Sequence, residues 1–286
     1  MKVDVSLYLK ETVKETFYFH PNPGNAGDSL INVGCYDCFK KASLDYLEFS
    51  DGLTCNPEDY RDKIVILGGG GGFIPAWSFT KNFVERFHKV CKLLIIMPHT
   101  VSGNESLLKC LGNNVVIFAR ERVTFNYLTE VLTGGAKVMY ADDMAFSVNL
   151  ENINNIIKPK LSFKHEIKNF LNTFRSTFFR LISRGNLYAF RNDAEKTEIK
   201  IPKWNYDVSI AYAFGTENED LNRYSAYKLL ECINKSNRIY TNRLHGAISS
   251  ALLGKEVNFY SNNYFKCRAV YEASLKDTFP KVIWMK

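Results

Sequence analysis

Lys63-Ile64-Val65-Ile66-Leu67-Gly68-Gly69-Gly70-Gly71-Gly72-Phe73 is the stretch that sets the fold class of this chain. A short, wholly apolar and mostly β-branched run that stops at glycine predicts a buried strand opening into a loop at its carboxyl end. On either side of it Phe17–His20, Leu93–Met97, Val115–Phe118 and Lys137–Tyr140 read the same way. Between them Asp28–Ala42, Ser78–Cys91 and Arg122–Leu132 carry apolar residues at helical spacing. Alternation of this kind predicts a parallel sheet covered by helices. A second set follows residue 185, with strand-like Leu187–Phe190, Val208–Ala211, Arg238–Tyr240 and Val257–Tyr260. Tyr224–Asn234, Gly246–Leu253 and Tyr264–Leu275 supply its helical patterns. The expectation is two α/β halves, 1–150 and 187–286, with ligands held beyond the carboxyl ends of their strands in a cleft between them.

The joining segment, 151–186, differs in character. From Lys158 to Arg184 it carries Lys158, Lys160, Lys164, Lys168, Arg175, Arg180 and Arg184 against a single acidic residue, Glu166. As a helix it places Phe163, Ile167, Phe170, Leu171, Phe174, Phe178, Leu181 and Ile182 largely on one face. Such a stripe either packs on the core or meets an anionic membrane surface; packing is the expectation.

The chain has 286 residues, 46% of them hydrophobic and 23% charged, enough to bury a sizeable core and too apolar for disorder. Met1–Glu15 mixes Lys2, Asp4, Lys10, Glu11, Lys14 and Glu15 with isolated apolar residues and lacks the apolar centre of a signal peptide. Leu93–Met97 is far shorter than the roughly 20 residues that cross a bilayer. Seven cysteines without framework spacing suit a reducing compartment, so a cytoplasmic protein is expected, peripheral to the inner membrane face if the basic helix binds lipid. Cys35-Tyr36-Asp37-Cys38 has no second pair or nearby His to complete a zinc site, and core or half-exposed thiols are expected there. The net charge of +7 favours an anionic partner.

Candidate chemistry gathers at strand ends. Asn25-Ala26-Gly27-Asp28 opens a helix, where exposed N–H groups suit an anion or sugar hydroxyl, although Asp28 taken alone is better read as a cap. The glycine run lacks the Lys-Ser or Lys-Thr of a P-loop, and Phe73 breaks a dinucleotide fingerprint. Its entropic cost, roughly 0.5–1 kcal/mol per glycine, favours a ligand loop. His99 reads equally as a hydrogen-bonding core residue or a substrate contact. Arg120 pairs with Glu121 or Asp143 or grips an anion, the last being the expectation. Asp142 and Asp143 lack a companion ligand set, so capping or arginine pairing is favoured over metal. In Thr241-Asn242-Arg243-Leu244-His245-Gly246 a strand ends and a small-residue helix begins, bringing Arg243 and His245 to a helix N-terminus. The helix dipole there favours an anion beside an imidazole suited to proton transfer, the lesser alternative being a histidine that only caps its own helix.

Taken in order, these residues resemble the polysaccharide pyruvyl transferase family over most of the chain. The match runs through Asn25–Asp28, the glycine run to Phe73, Pro98, Arg120-Glu121 with Thr124, Asp143–Phe146, Arg191–Glu195, Thr241–Gly246 and Tyr264–Lys266. Thr241–Gly246 is the distinctive element; His99 and the basic insert 158–184 depart from the family pattern. The resemblance implies two Rossmann-like domains in an arrangement similar to GT-B glycosyltransferases. It also implies phosphoenolpyruvate as co-substrate, no cofactor or metal, and a pyruvate ketal on a hexose of a capsule or exopolysaccharide precursor. On that reading His245 moves the proton, while Arg243, Arg120, Arg191, Gly70 and Gly71 hold the donor. Asn25, Asp28, His99, Asp143 and Lys266 position the substrates, the acceptor being a lipid-linked or nucleotide-linked sugar and not nucleic acid. The rivals are a GT-B glycosyltransferase using a nucleotide sugar and a non-catalytic glycan-binding protein.

Overall fold

Backbone groups inside a sheet buried on both faces must be paired by neighbouring strands, and helical crossovers make those neighbours parallel. The computed structural model describes residues 1–151 and 158–285, and among these every strand pairing is parallel. Residues 152–157 of the expected connecting segment 151–186, and residue 286, lie outside the described residues. The chain forms two compact units, Met1–Asn22 with Gly34–Val148, and Pro23–Val33 with Asn149–Lys286.

The first unit holds β1 (Phe17–His20), β2 (Tyr46–Glu48), β3 (Ile64–Leu67), β4 (Gly70–Phe73), β5 (Leu93–Val101), β6 (Val115–Ala119) and β7 (Lys137–Tyr140). Their order is β2-β1-β3-β5-β6-β7, with β4 paired to β5. All residues of β3 and β6 are buried, as central parallel strands covered on both faces require. Strands β2 and β7 lie at the edges and stay half exposed. The amphipathic helix Phe79–Phe87 buries Thr80, Phe83, Val84 and Phe87. Phe83 and Phe87 stack at 4.3 Å, each burial stabilising by about 1.5–3 kcal/mol. Gly34, in helix Ala26–Ala42, has no side chain because a Cβ would stand 1.8 Å from the Met144 carbonyl oxygen.

The glycine run corrects an expectation: part of it is strand β4, not loop. Strand β5 outruns β3, and the groups it would leave unpaired are taken by β4, with Gly70 opposite His99 and Phe73 opposite Val101.

The second unit carries β8 (Leu187–Ala189), β9 (Arg238–Thr241), β10 (Glu256–Phe259) and β11 (Val282–Trp284) in the order β11-β10-β9-β8. Helix Glu219–Asn234 buries Tyr224, Leu229 and Ile233 against this unit's core. Val208–Ala211, expected as a strand, is one helical turn that buries Val208 and exposes Ile210. Four apolar residues carry too little periodicity to separate the two states. Helix Phe163–Ile182 starts at Ser162, whose side chain accepts from the His165 N–H. Its phenylalanine stripe does not pack on the core as expected: Ser176 is its buried residue, and Phe163, Phe170 and Phe174 are exposed. Cys35 and Cys38 are buried thiols as expected, and burial pushes Cys38 up to about 12.

Candidate functional site in two polar clusters

Strand order reverses at β1 in the first sheet: β2 lies on one side and β3 on the other, with β5 to β7 beyond it. A crevice for ligands opens at the carboxyl ends of strands flanking such a switch. Asn22 lies just past the end of β1, and Gly70 opens β4 just past the end of β3. A Cβ on Gly70 would fall 2.8 Å from Asn22 Nδ2 and 3.6 Å from His99 Nε2, so glycine is what lets the three groups meet. His99 Nδ1 lies 3.1 Å from the Met97 carbonyl and serves as its donor, which leaves Nε2 as a lone-pair acceptor. That nitrogen is buried with no hydrogen-bond partner. Burial first, and the Arg120 charge second, depress the imidazole to about 3, so His99 is neutral near pH 7.

Arg120 emerges from the end of β6, fully buried. Its Nε donates to Thr100 Oγ1 (2.9 Å) and Nη1 to Asp143 Oδ2 (2.7 Å), while Nη2 has no partner. The pairing with Asp143, open in the sequence beside anion binding, is what forms: a guanidinium this deep needs a counter-charge within the protein. Asp143 Oδ1 also accepts from the Ala145 N–H (2.9 Å). Asp142 points elsewhere, to Lys2 Nζ at 2.5 Å. Glu121 caps helix Arg122–Val131 through the Thr124 N–H (2.8 Å). Gly71 lies within β4 and is partly exposed. A separate groove in this unit, lined by Lys2, Asp4, Asp37, Lys41 and Asp142, contains neither His99 nor Arg120.

In the second unit the neighbouring strands β8 and β9 release Arg191 and Arg243 from the same end, with Ala189 opposite Thr241. Thr241 Oγ1 donates to the Ala189 carbonyl (2.7 Å) and accepts from the Arg243 N–H (2.9 Å); Asn242 Oδ1 accepts from the Arg191 N–H (2.9 Å). Asp193 bridges the two guanidiniums, taking Arg191 Nε (2.7 Å) and Nη2 (2.9 Å) and facing Arg243 Nη1 at 2.9 Å. Burial pushes the Asp193 carboxyl up, but the hydrogen bonds from Arg191 and the Arg243 charge outweigh it and hold the group down at about 2. Asp207 takes Nε and Nη2 of Arg243. Glu195 gathers Arg191 Nη1, Lys266 Nζ (2.6 Å) and Asn262 Nδ2 (3.1 Å). Burial opposes the Arg191 charge, yet Asp193 and Glu195 leave its pKa above the ordinary arginine value.

His245 stands in the first turn of helix Leu244–Leu252, partly exposed among otherwise buried neighbours. Against it lies the first turn of helix Ala26–Ala42, whose opening residues belong to this unit. A Cβ on Gly27 would be 2.9 Å from both Cβ and Nδ1 of His245. Asn25 and Asp28 cap this helix reciprocally: Asn25 Oδ1 accepts from the Gly27 N–H and Asp28 Oδ2 from the Asn25 N–H, both at 2.8 Å.

Thus Asn25, Asp28, Arg191, Arg243, His245 and Lys266 share the second unit, and Gly70, Gly71, His99, Arg120 and Asp143 the first. Asn22, Thr100 and Asp207 were not singled out in the sequence; Asp193 and Glu195 appeared only inside the Arg191–Glu195 motif. A carboxylate count near each arginine gives no signal for Asp207, which lies 36 residues from Arg243. Among the described residues no group of three or more His, Cys, Asp or Glu side chains is placed to hold a metal ion.

Parallel sheets with arginines and a histidine at their strand ends make a mixed α/β scaffold of Rossmann-like type. The chain belongs to the polysaccharide pyruvyl transferase family, whose model matches residues 25–264. Membership gives it a pyruvyltransferase role in polysaccharide biosynthesis. It is similar to the crystal structure of an uncharacterized protein from Klebsiella pneumoniae subsp. pneumoniae NTUH-K2044, with a TM-score of 0.76 and 29% identity, covering 99% of this chain and 96% of that one. A comparison with curated proteins finds no match.

Proposed function

We propose that the protein draws its pyruvyl group from phosphoenolpyruvate and sets it as a cyclic ketal on a hexose of a lipid-linked or nucleotide-linked polysaccharide precursor in the cytoplasm. The observation that carries this reading is the pairing of Arg243 with His245 at the N-terminus of helix Leu244–Leu252, in a chain of the pyruvyl transferase family.

The donor's chemistry sets the roles. Protonation of its methylene carbon gives a methyl group and an oxocarbenium-like centre at the neighbouring carbon. One sugar hydroxyl adds there and gives up its proton, the phosphate leaves with its bonding pair, and a second hydroxyl closes the ketal, its proton passing to the departing phosphate. Donor and diol become ketal and phosphate, so a single group that gives and recovers protons suffices. His245 is assigned that role because its ring is partly exposed and steadied by the Gly27 turn.

A guanidinium has five N–H groups. Asp193 and Asp207 engage Arg243 through Nε, Nη1 and Nη2. The remaining N–H on each terminal nitrogen is assigned to the donor phosphate, and the carboxylates fix the plane of the fork. Arg191 and Lys266 are assigned to hold Asp193 and Glu195 in place. In the first unit His99 Nε2 and Arg120 Nη2 are a buried acceptor and donor without partners, which suits recognition of a sugar hydroxyl beside Asn22 and Gly70.

Purified protein incubated with phosphoenolpyruvate and a panel of hexose precursors should release phosphate only with an acceptor. His245→Ala should lower the rate by about 10²-fold or more while melting like the wild type. Release driven by a nucleotide sugar but not by phosphoenolpyruvate would replace this reading with glycosyl transfer.

A further inference from the structure

Helix Phe163–Ile182 is mounted with its polar side inward. Asn169 Nδ2 donates to Tyr224 Oη (3.1 Å) and Asn172 Nδ2 to the Ala211 carbonyl (2.6 Å). Tyr206 Oη donates to the Asn172 carbonyl (3.0 Å), and Ser176 Oγ lies 3.0 Å from Tyr212 Oη. Positions 169, 172 and 176 are spaced three and four apart, so this seam is one face of the helix. Phe179, on the same side, packs against the core of its unit.

The opposite face is apolar and bare. Phe163, Phe170, Phe174, Phe178 and Leu181 are 79%, 73%, 69%, 50% and 74% exposed. At about 100° per residue they fall within an arc of roughly 80°. Contiguous aromatic exposure on this scale marks an interaction surface. Lys164 and Arg175 border the stripe on one side and Arg180 on the other, with Arg184 following just beyond the helix end. The helix's one acid, Glu166, is paired with Lys158 at 2.6 Å. Both rims therefore keep their positive charge.

We propose that this helix docks in the plane of an anionic lipid surface, its phenylalanines in the acyl boundary and its Lys and Arg at the headgroup phosphates. Aromatic residues on one face with cations along its edges are what interfacial binding requires. A second copy fits less well, because pairing two such stripes sets their basic rims together with Glu166, already paired to Lys158, as the helix's one carboxylate to offset them. Spanning does not apply, since no described helix is long and apolar enough to cross a membrane. The inference rests on this face alone and is independent of the reaction chemistry.

Flotation of the full chain with vesicles of equal parts phosphatidylglycerol and phosphatidylcholine tests it. Wild type should co-float at low salt and be released by high salt. Phe170→Ser with Phe174→Ser should lower the partition coefficient by about tenfold or more at an unchanged melting temperature. Should that variant misfold, Lys164→Glu with Arg175→Glu should lose the preference for anionic vesicles. Equal binding to pure phosphatidylcholine, undiminished flotation of either folded variant, or a lipid-free dimer that the Phe170→Ser and Phe174→Ser changes dissociate would overturn the proposal.

Discussion

Two adjacent aspartates should differ sharply in what they contribute to stability. Asp143 is fully buried against Arg120, also fully buried, whereas Asp142 and its partner Lys2 have 45% and 29% of their side-chain surface exposed. Asp143→Ala removes the counter-charge from a guanidinium that water does not reach, together with the acceptor of the Ala145 N–H. Breaking a buried pair costs about 3–5 kcal/mol, mostly the penalty of the stranded charge. For a unit of this size that lowers the melting temperature by roughly 10 °C. Asp142→Ala should cost below about 1 kcal/mol, as exposed pairs do. Replacing both partners, as Arg120→Met with Asp143→Leu, should recover much of the loss because no charge is left buried. Thermal melts followed by circular dichroism, with urea titrations for the free energies, measure all three. Similar losses for Asp142→Ala and Asp143→Ala, or a double variant worse than the sum of its single changes, would refute the buried-pair argument.

Gly27→Ala places a methyl group 2.9 Å from His245 Cβ and Nδ1, so it should displace the ring and cut turnover by about tenfold or more while the fold is kept; steady-state kinetics beside a melt check this, and unchanged turnover would mean that the turn does not position His245. His99 is held neutral by burial, with a folded pKa of about 3 against an ordinary 6.5. The folded state thus binds fewer protons than the unfolded one, and the contribution of His99 is complete above pH 6.5 and lost as pH falls toward 3. Stability should decline there by up to about 1.4 kcal/mol per pH unit, and His99→Gln should flatten that slope in urea titrations from pH 7 to 5; an equal slope in the variant would assign the decline to other groups.

Runs such as Ile64–Leu67 and Val115–Ala119 were readable because a strand buried on both faces is apolar at every position. Strand β4 was not, since glycines carry no burial pattern and its pairing depends on how far β5 extends. The edge strands Tyr46–Glu48 and Val282–Trp284 are three residues long and partly exposed, too short for alternation to register. At the site, Arg243, His245 and the Asn25–Asp28 cap stood out because each sits where a strand meets a helix. The long-range pairings did not. Asp207 reaches Arg243 across 36 residues and Lys266 reaches Glu195 across 71, distances over which only the folded sheet brings groups together. The stripe on Phe163–Ile182 was visible as a pattern, but periodicity tells which residues share a face and not which way that face turns.

The proposed reaction turns on His245 moving the proton that makes phosphoenolpyruvate an acceptor of a sugar hydroxyl. Mass spectrometry of the hexose precursor after incubation with phosphoenolpyruvate in deuterated water measures this directly. Wild type should add one pyruvic acid less one water, with solvent deuterium in the new methyl group, and His245→Ala should leave the precursor unchanged. A ketal formed at the wild-type rate by His245→Ala, or a wild-type product whose methyl group carries no solvent deuterium, would contradict it.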